Sequence, residues 1–457
     1  MATQTLVSDV DEPTFSRLRY YAACVRRLAH RSDIHRIHPS VHDRLHAPLN
    51  GGILFCKLQV LRWHQRTDGD ILDFLPFVPA SLRELVAGGI GTEDRETGAV
   101  GADVLYDLVT RFLHLLNENA PSLESLTLSG RVYASTVVRL GELKTLKSLR
   151  IINFAHRGFL PLNSPVLQSC AALGLEEFCI SLTGGTDNLI AEAFASGFHA
   201  LRTLRVHGTL ALVARLLSRV ASRELTTFGV FDPRPDPWRD YRACLTTLAA
   251  QFPALRTVSL SGSWSGCPAP LDVLAPLLKL PFLEHLSVVS GTGVALSLAA
   301  SDAQALAKAW PRLKMLTLLY QPASAGLPLD ALSAFAEHCP ELRTLALASV
   351  DLHVRASAEH KAVAKRSSHA LRHIWLPGDT EAAQVNMVAK QLDVMFPHLD
   401  LGPFDWPWHP SSDPKIWRKI MDGVKSAKVE RRGAVSGTHN IQWCVLQFQR
   451  VRRLALT

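Results

Sequence analysis

The chain has 457 residues, of which 47% are hydrophobic and 20% are charged, so it can build a core and is not disordered overall. The net charge of +8 belongs to the segment from Lys415 onward, which holds ten Lys/Arg and two acidic residues; the preceding 414 residues are neutral. Eight cysteines without a C-x-x-C pair argue against a zinc site or a disulfide framework. Leucine supplies 71 residues and aromatic residues only 7%, which indicates a repetitive aliphatic core.

The N-terminal residues 1–13 are polar and acidic, so we expect no signal peptide. A group of histidines follows, with spacings of three and four that could align some of them on a helix to bind a metal. Because Pro39 and Pro48 break such a helix, a solvated loop without a metal is the favoured interpretation, and no cofactor is expected. These histidines are His30, His35, His38, His42 and His46.

A leucine-based repeat runs through most of the chain. The template L-x-x-Φ-x-Φ, where Φ is apolar, occurs twelve times, mostly at the spacing of roughly 20–29 residues that is typical of leucine-rich repeats. All 36 template positions are apolar, and Ala87 is the weakest of them. The first leucines are Leu58, Leu82, Leu123, Leu146, Leu175, Leu201, Leu225, Leu255, Leu283, Leu313, Leu342 and Leu371. A weaker unit starts at Val25 with Leu28, and a truncated one at Leu399.

Each unit has the pattern of a strand followed by a helix. The last two apolar residues of the template alternate with polar ones, as in a strand with one buried face. Helical patterns follow, for example over residues 302–309, 330–338 and 381–395. Five times a proline, which cannot continue a helix, stands two residues before the first leucine and predicts the end of the helix. These are Pro121, Pro253, Pro281, Pro311 and Pro340.

These patterns predict an α/β fold: a curved leucine-rich-repeat solenoid of about twelve irregular repeats, similar to the ribonuclease-inhibitor horseshoe, with a parallel inner sheet and outer helices. The predicted organisation is a lead segment over 1–21, the solenoid over 22–402 and a basic extension over 403–457. The asparagine that usually follows the last leucine is absent, so no asparagine ladder is expected. Surface insertions are predicted at 88–103 and 232–236.

Several motifs resemble a known family. They are FSRLRYYAACVRRL at 15–28, FCKLQVLRW at 55–63, VPASLREL at 78–85, the recurrent P-x-L-x-x-L-x-L units and LDVMFPHL at 392–399. In this order they resemble the F-box/leucine-rich-repeat proteins, in particular an uncharacterised branch from mushroom-forming fungi. The resemblance implies the substrate receptor of a cullin-based ubiquitin ligase. The F-box, which would bind a Skp-type adaptor, is not found in this chain, so adaptor and cullin are expected only if an F-box lies upstream.

Catalytic motifs are absent from the sequence. The chain has no P-loop, no G-x-G-x-x-G opening a helix and no H-E-x-x-H. The G-S-W-S-G run at 262–266 places Trp264 where a nucleophile elbow needs serine. We therefore expect a protein that is not an enzyme.

The inner sheet is the predicted protein-binding surface. Residues two, four and six positions after the first leucine should face away from the core, because side chains alternate across a strand. Early repeats place basic residues there, and later repeats place apolar ones that would form a contiguous exposed patch and supply most of the affinity. The predicted binding residues are Arg62, Arg150, Arg205, His207, Phe231, Val289, Met315, Leu319 and Trp375.

Three functions remain open on sequence alone. The first is a non-enzymatic protein-binding solenoid, the substrate-recognition part of an F-box-type ubiquitin-ligase receptor. The second is a free-standing leucine-rich-repeat scaffold or inhibitor unrelated to ubiquitin. The third is a nucleic-acid-associated protein acting through the segment after Lys415, which we do not favour. We expect a cytoplasmic or nuclear monomer with a protein substrate, no membrane contact, and an extension over 415–457 that lies outside the solenoid.

Overall fold

The computed structural model describes residues 3–4, 11–31, 36–37, 41, 49, 53–64, 78–90, 102–130, 139–152, 164–181, 196–265, 267, 269–290, 295–322, 326–352, 369–376, 385–400, 420–426 and 428. The chain divides into two compact units, Met1–Phe231 and Asp232–Thr457. Each unit repeats a strand, a turn and a helical segment, and its strands form a parallel sheet. The predicted leucine-rich-repeat solenoid fold is confirmed. In the described part of the chain, no helix has the length and apolar character needed to cross a bilayer.

The first unit contains a parallel sheet in which each strand pairs with the next one along the chain. Its strands are β1 (Arg27–Arg31), β2 (Val60–His64), β3 (Glu84–Ile90), β4 (Ser125–Gly130), β5 (Ser148–Ile152), β6 (Glu177–Ser181), β7 (Thr203–His207) and β8 (Thr227–Pro237), the last belonging here as far as Phe231. Its helices are α1 (Glu12–Ala22), α2 (Ala102–Asn119), α3 (Ser164–Ala172) and α4 (Leu210–Leu217), with a 3-10 turn at Leu140–Glu142. A short parallel pair joins Thr3–Gln4 to Arg36–Ile37.

The second unit repeats this arrangement. Its strands are β9 (Thr257–Ser265), β10 (His285–Ser290), β11 (Met315–Leu319), β12 (Thr344–Leu347) and β13 (His373–Trp375). Its helices are α5 (Trp238–Gln251), α6 (Pro270–Leu274), α7 (Ala300–Ala309), α8 (Ser333–His338) and α9 (Val385–Met395), with 3-10 turns at Ala275–Lys279 and Leu329–Leu332. Two-residue strands pair Ala295–Leu296 with Gln321–Pro322, and Leu327–Pro328 with Val350–Asp351.

The register of the strands stacks the template leucines into continuous rows. In the first unit Leu61 pairs with Leu85, and in the second Leu286 pairs with Leu316, so the same template position is repeated across each sheet. All 36 template positions of the twelve units are buried. The weak first unit is also a strand, since Leu28 of β1 pairs with Leu61. The leucine template therefore defines the core of both units.

A ladder of backbone hydrogen bonds begins one residue after each first leucine. In the first unit it starts with the Gln59 N–H donating to the Arg26 carbonyl. In the second unit it ends with Asp400 N–H donating to the Arg372 carbonyl. The short segment at Leu399, which is 2% exposed, therefore continues the repeat spacing as the sequence predicts.

Side chains other than asparagine satisfy carbonyl groups between repeats. Ser81 Oγ donates to the Leu58 carbonyl at 2.9 Å, and Thr145 Oγ1 donates to the Leu123 carbonyl at 2.8 Å. Ser222 Oγ, which is buried, donates to the carbonyl of Leu201 at 2.6 Å. These bonds meet the rule that buried backbone polar groups need partners. They lie at the edge where the strands begin and join each of these repeats to the preceding one.

In the second unit, larger side chains donate hydrogen bonds to carbonyl groups of the preceding repeat. The indole Nε1 of Trp310 donates to the Leu277 carbonyl at 3.0 Å. The ring of His369, 2% exposed, lies 2.8 Å from the Cys339 carbonyl through Nε2 and accepts the Leu371 N–H at Nδ1. Because Nδ1 is an acceptor, His369 is neutral with its proton on Nε2. Burial lowers the pKa of His369, which keeps this arrangement at neutral pH.

The prolines end the helical segments as predicted. Helix α2 ends at Asn119 before Pro121, and α5 ends at Gln251 before Pro253. In α7 the last residue is Ala309, and Pro311 follows the C-cap residue Trp310. The proline position therefore fixes where the chain leaves the helix for the next strand.

Three expectations about irregular segments are wrong in part. The predicted loop at 88–103 begins too early, because β3 continues to Ile90, and a Cβ at Gly88 would overlap the ring of His64. The predicted insertion at 232–236 lies within the extended strand β8. His30 is part of β1 and lies 4.2 Å, centroid to centroid, from the ring of Trp63. The other four histidines of that group lie outside the described residues.

Part of the basic extension contacts the second unit. Ile420 and Val424 are fully buried, and a Cβ at Gly423 would lie 2.8 Å from the Cβ of Ala389 in α9. The ammonium group of Lys428 donates to the Leu399 carbonyl. This described portion therefore packs on α9. The expectation for the extension as a whole stays a prediction.

Replacing Leu316 by Ala should lower the free energy of unfolding by about 2–5 kcal/mol, the usual cost of a cavity at a buried leucine. Hydrogen exchange should rise first in the strands beside β11, because contacts in a solenoid are between nearest neighbours. The control is Val289→Ala on the neighbouring strand, where the side chain is 37% exposed. A uniform rise over the whole chain would contradict the expectation.

Replacing His369 by Ala should lower stability at pH 8 by about 1–3 kcal/mol, because a buried carbonyl and a buried N–H lose their partner. The lowered folded-state pKa means that His369 stabilises the fold fully above its unfolded pKa of about 6.5, and that this stabilisation is lost as pH falls below it. The variant should therefore lose less stability on acidification than the parent. Denaturant titrations at a series of pH values measure this.

The control for this experiment is Thr145→Ala, which also removes a bond to a carbonyl of the preceding repeat but carries no titratable group. The stability that Thr145→Ala loses relative to the parent should be the same at every pH. An unchanged acid sensitivity in His369→Ala would show that the histidine does not act as proposed.

Candidate protein-binding face

The inner face consists of the residues two, four and six positions after each first leucine. Because side chains alternate along a strand, these residues lie on the side of the sheet opposite to the buried template residues. In the first unit most of them are half-buried or exposed, and they carry mixed polar, charged and aromatic groups. This face is the surface that the sequence predicts to bind a partner.

Four of the predicted binding residues lie together in the first unit, on neighbouring strands. The register aligns Arg150 of β5 with Cys179 of β6, then with Arg205 of β7 and Gly229 of β8. The next row along the same strands aligns Ser181, His207 and Phe231. We call this group the arginine patch, and it consists of Arg150, Glu177, Cys179, Arg205, His207, Gly229 and Phe231.

The arginines of this face differ in their partners. Arg62 on β2 donates to Glu84 Oε1 through Nε at 3.3 Å and through Nη2 at 3.0 Å. Arg150 lies 3.5 Å from Glu177 Oε1 through Nη2, while its Nε is buried without a hydrogen-bond partner. Arg205 forms no hydrogen bond or ion pair with any residue in the described ranges. The positive charge of the patch is therefore only partly compensated.

An aromatic pair borders these arginines. The rings of His207 and Phe231 are stacked, with centroids 4.6 Å apart and planes inclined by 19°. Both residues are half-buried, so part of the pair remains accessible. Burial lowers the pKa of His207, which therefore adds no charge at neutral pH. Phe231, expected to join the late apolar residues, instead belongs with the early basic ones.

The thiol of Cys179 lies between the two arginines. Burial raises the pKa of Cys179, although Arg150 and Arg205 both act to lower it. The thiol is therefore protonated at neutral pH, and it contributes a small neutral side chain rather than a nucleophile.

The late apolar residues do not form the predicted contiguous exposed patch. Leu319 is only 4% exposed, so its assignment to the binding face is wrong. Its neighbour Val289 is 37% exposed, whereas Met315 and Trp375 are half-buried. Between the strands of Met315 and Trp375 lies β12, in which Ala346 is fully buried. Of the apolar residues predicted for this face, Val289, Met315 and Trp375 therefore remain as accessible candidates among the described residues of the second unit.

A second charged zone follows the edge where the strands begin. In the second unit Glu284 pairs with Lys314 at 2.6 Å and with Arg256 at 3.0 Å. The hydrogen bond from Lys314, followed by the charges and bonds of both cations, lowers the pKa of Glu284 despite its burial. These ions satisfy one another, so this edge is a structural ion-pair row and not a free binding site.

Three residues of the patch were not singled out by the sequence: Glu177, Cys179 and Gly229. Cys179 and Gly229 stand four positions after the first leucine, as the arginines do, and Glu177 stands two positions after it, so the alternation rule could have named all three. Their role depends on the cross-strand register, because each lies beside a residue that is distant in the sequence.

The G-S-W-S-G run and the metal-binding side-chain types were the chemical candidates that the sequence offered. Trp264 of the G-S-W-S-G run is fully buried, with its ring 5.8 Å from that of Tyr241. No group of three or more His, Cys, Asp or Glu side chains in the described ranges could hold a metal ion. Trp264 therefore belongs to the core.

No protein-family model matches the chain, and no curated protein matches it in sequence. Among solved structures it is similar to the complex of Rad7 and Elc1 from yeast, with 14% identity and a TM-score of 0.44 over 88% of this chain and 92% of that chain. It is also similar to a protein from Bacteroides fragilis, with 13% identity and a TM-score of 0.31 over 62% and 74% of the two chains. The fold assignment rests on the strand order and register described above.

The stacked pair gives a prediction for His207. An NMR titration of its ring should show a pKa below the ordinary value of about 6.5, because burial against Phe231 disfavours the charged form. Phe231→Ala should raise the pKa towards that value by exposing the ring to water, and Val289→Ala in the second unit should leave it unchanged. A parent pKa at or above 6.5 would contradict the described environment.

Proposed function

We propose that this chain is a protein-binding leucine-rich-repeat solenoid without catalytic activity, and that its partner contacts the inner face. The observation that carries the proposal is the accessible face of the first unit, where charged and aromatic side chains lie next to one another without satisfying all their polar groups. A sheet face with no function beyond solvation needs no such arrangement. Partner groups can supply the missing contacts and exclude water from the aromatic pair.

We further propose that the protein serves as the substrate-recognition part of an F-box-type ubiquitin ligase. The support is the order of sequence motifs that resembles the F-box/leucine-rich-repeat proteins, from the segment at 15–28 to the one at 392–399. In this proposal the repeats bind the substrate, and a Skp-type adaptor and a cullin join through an F-box supplied upstream. The alternative is a free-standing scaffold or inhibitor, which binds a partner without either ligase subunit.

A pull-down with the chain extended by any in-frame F-box that is encoded upstream, followed by mass spectrometry, separates these two roles. Recovery of a Skp-type adaptor and a cullin together with a further protein supports the ligase receptor. Recovery of a partner that remains bound in the complete absence of both subunits supports the scaffold. The genomic DNA upstream of the coding sequence provides a second test, because an in-frame F-box there is expected only for the receptor.

The binding face is tested with surface variants and a purified partner from the pull-down. Trp375→Ala and Met315→Asp should each weaken binding by about 2 kcal/mol or more, because large half-buried apolar groups commonly dominate interfaces. The matched control is Lys308→Ala, an exposed change on helix α7. Titration calorimetry measures all three. If the helix change abolishes binding and the inner-face changes do not, the assignment of the face is wrong.

A further inference from the structure

The charge distribution within the arginine patch points to a more specific partner. Glu177 is its single carboxylate, and both oxygens of Glu177 are engaged on one side: Oε2 accepts from Ser148 Oγ at 2.9 Å, and Oε1 faces Arg150 at 3.5 Å. Nothing comparable faces Arg205, which has no ion pair or hydrogen bond within the described residues. The patch therefore carries one uncompensated guanidinium, since burial keeps the neighbouring His207 neutral.

The neighbours of Arg205 hold its side chain in place. A Cβ at Gly229 would lie 3.3 Å from Arg205 Cγ and 3.3 Å from Phe231 Cε2. The aliphatic part of Arg205 and the ring of Phe231 therefore meet over the backbone of β8, where any larger residue would crowd them. On the opposite side lies the small thiol of Cys179. Because packing on β8 restricts the aliphatic stem of Arg205, the side chain loses less freedom when it binds, which favours affinity.

Resting on the proposed protein-binding function, we infer that the arginine patch binds an acidic segment of a partner protein. Its Asp or Glu carboxylate pairs with Arg205, and an adjacent aromatic or large aliphatic side chain packs on the His207–Phe231 pair. Arginine suits this role because its planar guanidinium can donate two parallel hydrogen bonds to one carboxylate. The aromatic pair supplies an apolar surface within reach of the same peptide.

The amount of charge selects a carboxylate over other anions. Two arginines and one glutamate leave a single net positive charge, which one carboxylate neutralises. A nucleic acid chain needs several phosphate contacts along its backbone, and the carboxylate of Glu177 would repel them. A phosphorylated side chain, with close to two negative charges, would exceed the charge available.

The experiment uses the full chain and a random-sequence peptide display library as the probe. The peptides enriched on the parent chain should carry Asp or Glu next to an aromatic or leucine residue. The consensus peptide is then synthesised, and its Kd is measured for the parent and for variants. Arg205→Ala should weaken binding of the peptide about tenfold or more, which corresponds to about 1.4 kcal/mol. Arg205→Lys should weaken binding less, because lysine keeps the positive charge but cannot donate two parallel hydrogen bonds to one carboxylate.

The matched control is Arg62→Ala, another inner-face arginine at the same offset, which is already paired with Glu84. It should change the Kd of the peptide less than about twofold. A charge reversal gives the sharpest check, since Arg205→Glu should bind a peptide with Lys in place of the acidic residue better than the parent does. Circular dichroism and thermal melting confirm that each variant is folded.

Several outcomes would overturn the inference. They are enrichment of peptides without acidic residues, no enrichment at all, or acidic peptides that bind Arg205→Ala as tightly as the parent. This inference can fail while the proposed function stands: a purified partner whose binding is insensitive to Arg205→Ala but lost with Trp375→Ala would refute the acidic segment and leave the protein-binding function standing.

Discussion

The structure depends on one constraint: a single repeat of this chain cannot bury its own apolar face. A strand with leucines on one side and a short helix behind it leaves those leucines open to water on both flanks. Each neighbour closes one flank and is itself completed by the next repeat. The register pairs Leu61 with Leu85 and Leu286 with Leu316, so that the leucines of neighbouring repeats cover one another. Because the side-chain period of a strand is two, the same register that buries one set of residues places the other set on the opposite face of the sheet.

The fold could be predicted from the sequence because the core residues follow a regular spacing along the chain. Leucine spacing located every template residue, and the prolines located the ends of helical segments, since both effects act within a few residues of the chain. On the inner face, the alternation of side chains is less regular where the strands end. Six positions after the first leucine, Ser181 and Leu319 are buried, whereas Val289 is 37% exposed. At this offset the strand is ending, so alternation no longer decides which side a residue faces.

The partners of charged residues could not be predicted in the same way. Arg62 with Glu84 and Arg150 with Glu177 are cross-strand pairs whose members are separated by a whole repeat of irregular length. The sequence shows that arginines lie on the face, but only the register shows which of them is already neutralised. For the same reason Phe231 was grouped by chemical type with the late apolar residues, while the structure places it against His207.

The side-chain hydrogen bonds between neighbouring repeats limit how this protein can change over time. Serine, threonine, tryptophan and histidine each satisfy a carbonyl of the preceding repeat, and each does so with its own geometry, as for Thr145, Trp310 and His369. In an array with one uniform asparagine, any repeat fits any other, so units can be duplicated or exchanged by recombination. Here the joints that the structure describes are each specific to their two repeats. Moving one unit would leave a buried carbonyl unpaired on one side and a misplaced donor on the other, so such an array diversifies by point substitution within a fixed number of repeats.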